Sequence, residues 1–338
     1  MPAEERDLAG EGDLSPARVA REVGRSIVGA ALARAQLHGL GGPGELDYAV
    51  ATPRLRAEVL VEALPYIRRF SGKVVVVKYG GSVVSGGEAG EAVADLSSFA
   101  QDISLMRAVG IKPIVVHGGG PQIGEAMAKF GKEPVFKDGL RVTDAETLEI
   151  ARMVLTGKVN PEIVAALNVS GAVAVGLSGT DAGMISAAQK GQDLGFVGEV
   201  TGVDTALLEK LLAEEVVPVI ATIGADAHGQ SYNINADMVA GEVAIAVAAE
   251  KLIYLTDVPG ILSDVADPGS LVRSIDSHTL AGMIADGSLR GGMIPKAASC
   301  LKAVRSGVAS AHVLDGRVPH VLLLEIFSDE GSGTMVVP

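Results

Sequence analysis

Val74-Val75-Val76-Val77-Lys78-Tyr79-Gly80-Gly81 and, further on, Ile114-Val115-Val116-His117-Gly118-Gly119-Gly120-Pro121 are the stretches that decide the fold. Each is a β-branched apolar run that breaks into glycines. Such a run is the pattern of a strand buried on both faces of a parallel sheet. Glycines after it let backbone N–H groups approach an anion closely. Pro121 suits the first position of a helix, so Gly118 to Gly120 lead into a helix N-terminus. Two such turns at one sheet edge form a cradle for phosphate or carboxylate, with Lys78 beside it. Neither is a standard nucleotide fingerprint. The first has its lysine before the glycines and lacks GK[ST]; the second reads GGG and not GxGxxG. From these turns alone, two tight strand-to-helix connections without ligand are an equal reading.

Outward from them, strands and helices alternate. Val74–Lys78, Ile114–His117, Ala172–Leu177, Val217–Ile223, Leu252–Thr256 and Ser310–Leu314 read as strands. Glu91–Val109, Pro121–Phe130, Ala145–Leu155, Met238–Ala249 and Pro295–Ser306 read as helices. The rhythm gives an α/β fold, a mostly parallel sheet with helices on both faces. Ligands belong at the carboxyl ends of its strands. Phe196 to Val200 reads as part of a hairpin.

Composition agrees. Of 338 residues 48% are hydrophobic but only 3% aromatic, so the core is aliphatic. A formal net charge of −13 argues against a nucleic-acid surface. The single cysteine, Cys300, fits a reducing, cytoplasmic setting. No apolar stretch reaches the roughly 18 residues of a membrane span. Glu4, Glu5 and Asp7 count against a transit peptide.

Before the first strand lie two different segments. Residues 1–50 offer one helix candidate, from Ser15-Pro16 through Val19, Val23, Ile27 and Ala31, against the alternative of a partly disordered tail. Within 51–70, Arg54 to Phe70 reads as an amphipathic helix with a bend at Pro65 and an apolar stripe of Leu55, Val59, Leu60, Leu64 and Ile67. That stripe packs on its own domain or on another subunit.

Further groups fall where the sheet puts its site. Arg141, in Gly139-Leu140-Arg141-Val142-Thr143-Asp144, can hold a carboxylate through its planar fork or form a surface ion pair. Tyr232-Asn233-Ile234-Asn235-Ala236-Asp237 alternates three polar side chains, which an extended segment projects to one face; Asp237 as an N-cap explains one of the three. In Gly291-Gly292-Met293-Ile294-Pro295-Lys296, Pro295 puts Lys296 in a first helical turn. There a cation opposes the helix dipole by roughly 0.3–1 kcal/mol, a penalty that a bound anion reverses. Leu252 to Gly260 walls a nucleotide pocket or simply connects elements.

Together the blocks KYGG (78–81), HGGGPQI (117–123), GLRVTD (139–144), GFVGEV (195–200), YNINAD (232–237), LIYLTDVPG (252–260), GGMIPK (291–296) and HVLDGRVPHVLLLEIFSDEGSGTM (312–335) resemble the amino-acid kinase family. Within it they are most similar to the N-acetylglutamate kinases. The resemblance runs from about Ala51 to Pro338. It implies a three-layer αβα sandwich with two lobes, 71–222 for the amino acid and 223–338 for ATP, with Mg²⁺ carried by ATP. It implies that Gly119, Gly120, Arg141 and Asn233 contact N-acetyl-L-glutamate. Lys78 and Lys296 would flank the transferring phosphoryl group, Asp237 would orient both lysines, and Gly81 and Gly118 would cradle phosphate. The alternatives are a sister kinase for an aminoadipate or glutamate derivative, and a non-catalytic arginine-sensing subunit.

The arginine-sensitive members share the helix before the first strand, which interlaces dimers into a hexamer, a trimer of dimers. By that likeness L-arginine is an inhibitor, and His312, Glu325 and Gly331 line its pocket. Three positions depart from the common pattern: Ser82 where Asn is frequent, Thr180 where Lys is frequent, and Met238 where Thr is common.

Overall fold

Along Val74–Tyr79 (β1), Val75, Val77 and Tyr79 enter one hydrophobic core and Val76 enters a second, on the opposite face of the central sheet. Lys78 shares the face of Val76. The computed structural model describes residues 53–80, 96–137, 139–264, 267, 269–289, 292–328 and 331–338. The helix expected from Ser15, and Gly81, Ser82 and Gly291, lie outside the described residues. The chain divides into two compact units, Met1–Leu64 and Pro65–Pro338.

Pro53–Phe70 (α1) precedes β1. Then come Leu96–Ala108 (α2), Lys112–His117 (β2), Gly120–Lys129 (α3), the short ribbon Phe136–Lys137 (β3) and Leu140–Arg141 (β4), and Ala145–Val154 (α4). A π-helical turn, Leu155–Val159, leads into Asn160–Val169 (α5). Next are Ala174–Ser178 (β5), Ile185–Gln189 (β6), Val197–Val203 (β7), Ala206–Ala213 (α6), Val217–Ala221 (β8), Ile223–Ala225 (β9), Ser231–Ile234 (β10) and Ala236–Ala246 (α7). Last are Lys251–Thr256 (β11), Ser274–Asp276 (β12), Ser277–Ala285 (α8), Met293–Arg305 (α9), Ser310–Asp315 (β13), Val321–Ile326 (α10) and Thr334–Val337 (β14).

The central sheet runs β12-β14-β13-β11-β1-β2-β8-β5, parallel throughout except where β14 meets β13. Helices α2, α4 and α5 fill one face, and α7 and α9 the other. The alternation of elements therefore gives the expected helix-covered sheet. A small closed barrel, β10-β7-β6-β9, is the part that the sequence pattern hinted at only through its hairpin. It also divides the expected strand Val217–Ile223. After Thr222 the chain leaves the main sheet, because Ile223 pairs antiparallel with Asn233.

In α1, Pro65 stands inside the helix. Of the expected stripe, Val59, Leu60 and Leu64 are exposed. Phe70, at the end of α1, is instead a core residue, and Tyr66 packs against that core.

Candidate functional site

Parallel pairing sets Lys78 level with Tyr254 on β11 and Val116 on β2. Lys78 and Tyr254 thus stand side by side on the face that α7 covers. Asp237, in the first turn of α7, receives both. Its carboxylate lies 3.0 Å from Lys78 Nζ through Oδ1 and 3.1 Å from Lys296 Nζ through Oδ2. The Lys296 ammonium donates a hydrogen bond; the Lys78 contact is off the hydrogen-bond line and is an ion pair. Asp237 is 5% exposed and Lys78 8% exposed. Burial alone would push the Asp237 carboxyl up, but the charges of Lys78 and Lys296 hold it below the ordinary range. The backbone of Asp237 is tied as well: the hydroxyls of Tyr254 and Ser299 donate to its carbonyl at 3.1 and 3.0 Å. Neither hydroxyl was singled out in the sequence: Tyr254 lies in the segment read as a pocket wall or a connection, and Ser299 in one read as plain helix.

The motif around Asp237 differs from its extended reading. The strand ends at Ile234, and Asn235 is the N-cap of α7, its Oδ1 accepting from Asp237 N at 2.9 Å and Met238 N at 3.2 Å. The alternation therefore does not run on through Asp237, and Asp237 is not the cap. This frees its carboxylate for the two lysines.

Gly118 to Gly120 do open a helix: Gly119 is the N-cap of α3, and Pro121 stands in its first turn. A Cβ on Gly119 would meet Leu155 Cδ2 at 2.7 Å, so the site needs glycine there for packing. Arg141 reaches this turn. Its guanidinium donates to Gly120 O at 2.9 Å and lies over the Phe136 ring, 4.8 Å from the centroid. Asn233 Nδ2 donates to Thr143 Oγ1 at 3.3 Å, and Thr143 donates to Arg141 O at 2.8 Å. Gly120, Arg141 and Asn233 are thus joined by short polar links through Thr143, and Gly119 adjoins Gly120 in the chain.

At the end of β5 the turn holding Thr180 satisfies itself. Thr180 Oγ1 donates to Ser178 Oγ at 2.9 Å, and Asp181 Oδ2 accepts from Ser178 N at 2.8 Å. The turn after β11 is bound to the last strand, where Thr334 Oγ1 accepts from Ile261 N at 2.8 Å.

His117 is buried next to the glycine turn, its Nδ1 3.0 Å from Gly118 O and its Nε2 2.9 Å from Asn160 Nδ2. Burial pushes its pKa down from 6.5 to about 4. Because the folded value lies below the unfolded one, the stability tied to the neutral ring is complete above pH 6.5. It is lost as pH falls toward 4, and amounts to about 3 kcal/mol. An NMR titration should show no protonation of His117 between pH 7.5 and 5; a midpoint near 6.5 would contradict the buried neutral ring.

A second buried cluster lies at the start of β11 and β13. Glu325 Oε1 is 2.8 Å from His312 Nδ1 and 3.1 Å from Lys251 Nζ, and Oε2 accepts from Ser332 N at 3.3 Å. Gly331 is at φ 59°, and a Cβ there would come within 3.1 Å of Glu325 Oε2. His312, Glu325 and Gly331 are therefore neighbours. Glu325 is neither a surface residue nor an unmet charge: it is 8% exposed and already faces Lys251. Lys251, whose ammonium also lies 5.4 Å from the centre of the Phe70 ring, was missed. Its only signal is a lysine at the head of an apolar strand.

Comparison with known proteins closes the question of family. The profile described as "Amino acid kinase family" matches residues 73–315. A protein of Symbiobacterium thermophilum named acetylglutamate kinase is 56% identical over 292 residues, 83% of this chain and 97% of its own length. Proteins of the same name are 48% identical in Nostoc sp., over 87% of this chain and 97% of their own, and 50% identical in Desulforamulus reducens, over 85% and 99%. Among solved structures, N-acetylglutamate synthase from Neisseria gonorrhoeae matches with a TM-score of 0.72 at 27% identity, over 83% of this chain and 63% of that one. Carbamate kinase from Giardia lamblia shares the fold at a TM-score of 0.56, over 79% of this chain and 98% of that one, at 16% identity. With its helix-covered parallel sheet, its glycine turns and these relatives, the chain belongs to the amino acid kinase family.

Proposed function

We propose that this enzyme transfers the γ-phosphoryl group of ATP to the γ-carboxylate of N-acetyl-L-glutamate, forming N-acetyl-L-glutamyl 5-phosphate and ADP, a step of arginine biosynthesis, in the cytoplasm. The observation that carries the reading is the Lys78–Asp237–Lys296 cluster, with Lys78 and Asp237 buried and Lys296 half-buried, set at the carboxyl end of β1 and at the N-termini of α7 and α9. The curated relatives named acetylglutamate kinase support the choice of substrate. So does the related synthase structure, which holds N-acetyl-glutamate.

The nucleophile is the substrate's own carboxylate, ionised at neutral pH, so no protein base is needed. One carboxylate oxygen bonds to the γ-phosphorus, the bond to the β,γ-bridging oxygen breaks, and its electrons leave with ADP. The barrier is the approach of two anions. Lys78 and Lys296 neutralise the equatorial oxygens as charge redistributes, and Asp237 sets their spacing. Gly81 and Gly118 hold phosphate, while Gly119, Gly120, Arg141 and Asn233 hold the amino acid. Both oxygens of Asp237 face lysines, which fits a Mg²⁺ carried by the phosphates of ATP, where it adds further neutralisation.

A hydroxamate trap for acyl phosphate tests the reading, with ATP and Mg²⁺ against N-acetyl-L-glutamate, L-glutamate and L-aminoadipate derivatives. Product from N-acetyl-L-glutamate above all others is expected. Preference for another acid would select the sister-kinase alternative, and no product at all the silent subunit. Arg141→Lys should raise the KM for the amino acid about tenfold or more with little change for ATP, because lysine lacks the fork that spans Gly120 and a carboxylate. An equal rise for both ligands would remove Arg141 from the substrate site.

We infer regulation by L-arginine at His312, Glu325 and Gly331, in a hexamer built through α1. The exposed Val59, Leu60 and Leu64 support an intersubunit role for α1. Because Phe70 is a core residue, the informative deletion ends at Leu64. Removing residues 1–64 should leave active dimers that have lost most arginine inhibition. A full-length chain that sediments as a dimer and ignores arginine would overturn the regulatory half alone.

A further inference from the structure

Behind the glycine turn lies a π-helical turn that the catalytic reading does not use. Leu155–Val159 ends in Asn160, whose backbone N–H donates to Leu155 O, the long-span bond of a π turn. Pro161 has no N–H for the carbonyl of Gly157, so the α-helical ladder is interrupted there. A π turn takes up an extra residue, so Asn160 comes back over Leu155; in an α-helix it would point roughly 140° away. The consequence is that three side chains meet the turn together. Leu155 and Val159 fill the space over Gly119, where a Cβ would meet them at 2.7 and 3.3 Å. Beside them Asn160, 5% exposed, sets its Nδ2 2.9 Å from both His117 Nε2 and Val219 O. On β5, Gly176 leaves the room, since a Cβ there would run into Asn160 Oδ1.

The protons in this network are dictated by two carbonyls. Gly118 O and Val219 O can only accept. Gly118 O therefore requires a proton on His117 Nδ1, and a neutral ring then presents a bare Nε2. The Asn160 amide gives one hydrogen to that Nε2 and the other to Val219 O. The carbonyl of Gly118 and the N–H of Gly119 share one rigid peptide plane. Fixing the direction of the one fixes the direction of the other.

We propose that Asn160 is a positioning residue: by holding His117 as its Nδ1–H tautomer it pins the Gly118 carbonyl and so aims the Gly119 N–H at the carboxylate of the amino acid. This rests on the reading of the glycine turn as the N-acetyl-L-glutamate cradle. ¹⁵N NMR of the histidine rings in the full chain at pH 7 should show His117 protonated at Nδ1 with Nε2 bare. Asn160→Leu keeps the volume and removes the donor. It should free the His117 ring from its Nε2 anchor, loosen its hold on the Gly118 carbonyl and raise the KM for N-acetyl-L-glutamate about tenfold, with the KM for ATP held within about twofold. A wild type that makes acyl phosphate from N-acetyl-L-glutamate yet carries the proton on Nε2 would overturn this inference alone. So would an Asn160→Leu enzyme whose two KM values shift alike. The tautomer measurement decides the matter even where the variant does not fold. A wild type that makes no acyl phosphate from N-acetyl-L-glutamate would overturn the substrate reading and this inference together.

Discussion

Lys296→Ala should lower turnover roughly a hundred- to thousandfold while leaving the KM of the amino acid within a few-fold. The reason is where the charge acts. Lys296 lies in the first turns of α9 and pairs with the carboxylate of Asp237, 3.1 Å away. Its positive charge opposes the α9 dipole, and on the proposed reading it is fully used only when a second anion, the phosphoryl group in flight, stands beside it. Losing it removes an interaction that strengthens in the transition state, which appears in kcat more than in KM. Stability should fall little, because Asp237 keeps Lys78 at 3.0 Å and its hydroxyl ties through Tyr254 and Ser299. Steady-state kinetics with both substrates varied, beside a melting curve, would check this. Near-normal turnover in a folded Lys296→Ala enzyme would sink the assigned role.

Glu325→Gln should cost the chain on the order of 3–5 kcal/mol of stability, read as a melting point lower by about 10 °C. Lys251 is 7% exposed and pairs with the Glu325 carboxylate at 3.1 Å. Without that charge a buried ammonium is left facing His312, 3.2 Å away, and the Phe70 ring. Replacing both partners, Lys251→Met with Glu325→Leu, should restore most of the loss, since a well-packed apolar pair avoids the desolvation of two ions. The same pair gives an acid limit. Burial alone would raise the Glu325 carboxyl, but His312 and Lys251 hold it down at about 2, against an ordinary 4.5. Its contribution is therefore complete above pH 4.5 and is lost as pH falls toward 2. A Glu325→Gln chain that melts like the wild type would show that the cluster carries no net stability. The double variant also separates folding from regulation: it should be stable, active and unresponsive to arginine.

What the sequence settled by itself was local and periodic. The apolar runs of β1, β2, β8 and β11 are buried on both faces, the pattern of strands in a helix-covered parallel sheet. Glycine followed by Pro121 foretold the start of α3 within a residue, because proline's missing N–H is harmless only there. Lys78, Asp237 and Lys296 could each be singled out as charges placed at the ends of such elements.

Only the tertiary structure decided which of these charges meet. Lys78, Asp237 and Lys296 come from three distant segments, and a contact between distant segments leaves no period in the chain. The same holds for Lys251 with Glu325, and for His117 with Asn160. A lysine, a histidine or an asparagine has the same local signal whether it ends in water or in a closed network. What separates the two cases is desolvation, and desolvation depends on what other elements lay over the residue. The division of Val217–Ile223, the choice of Asn235 over Asp237 as the cap and the π turn before Asn160 were decided likewise, by partners brought from elsewhere in the fold.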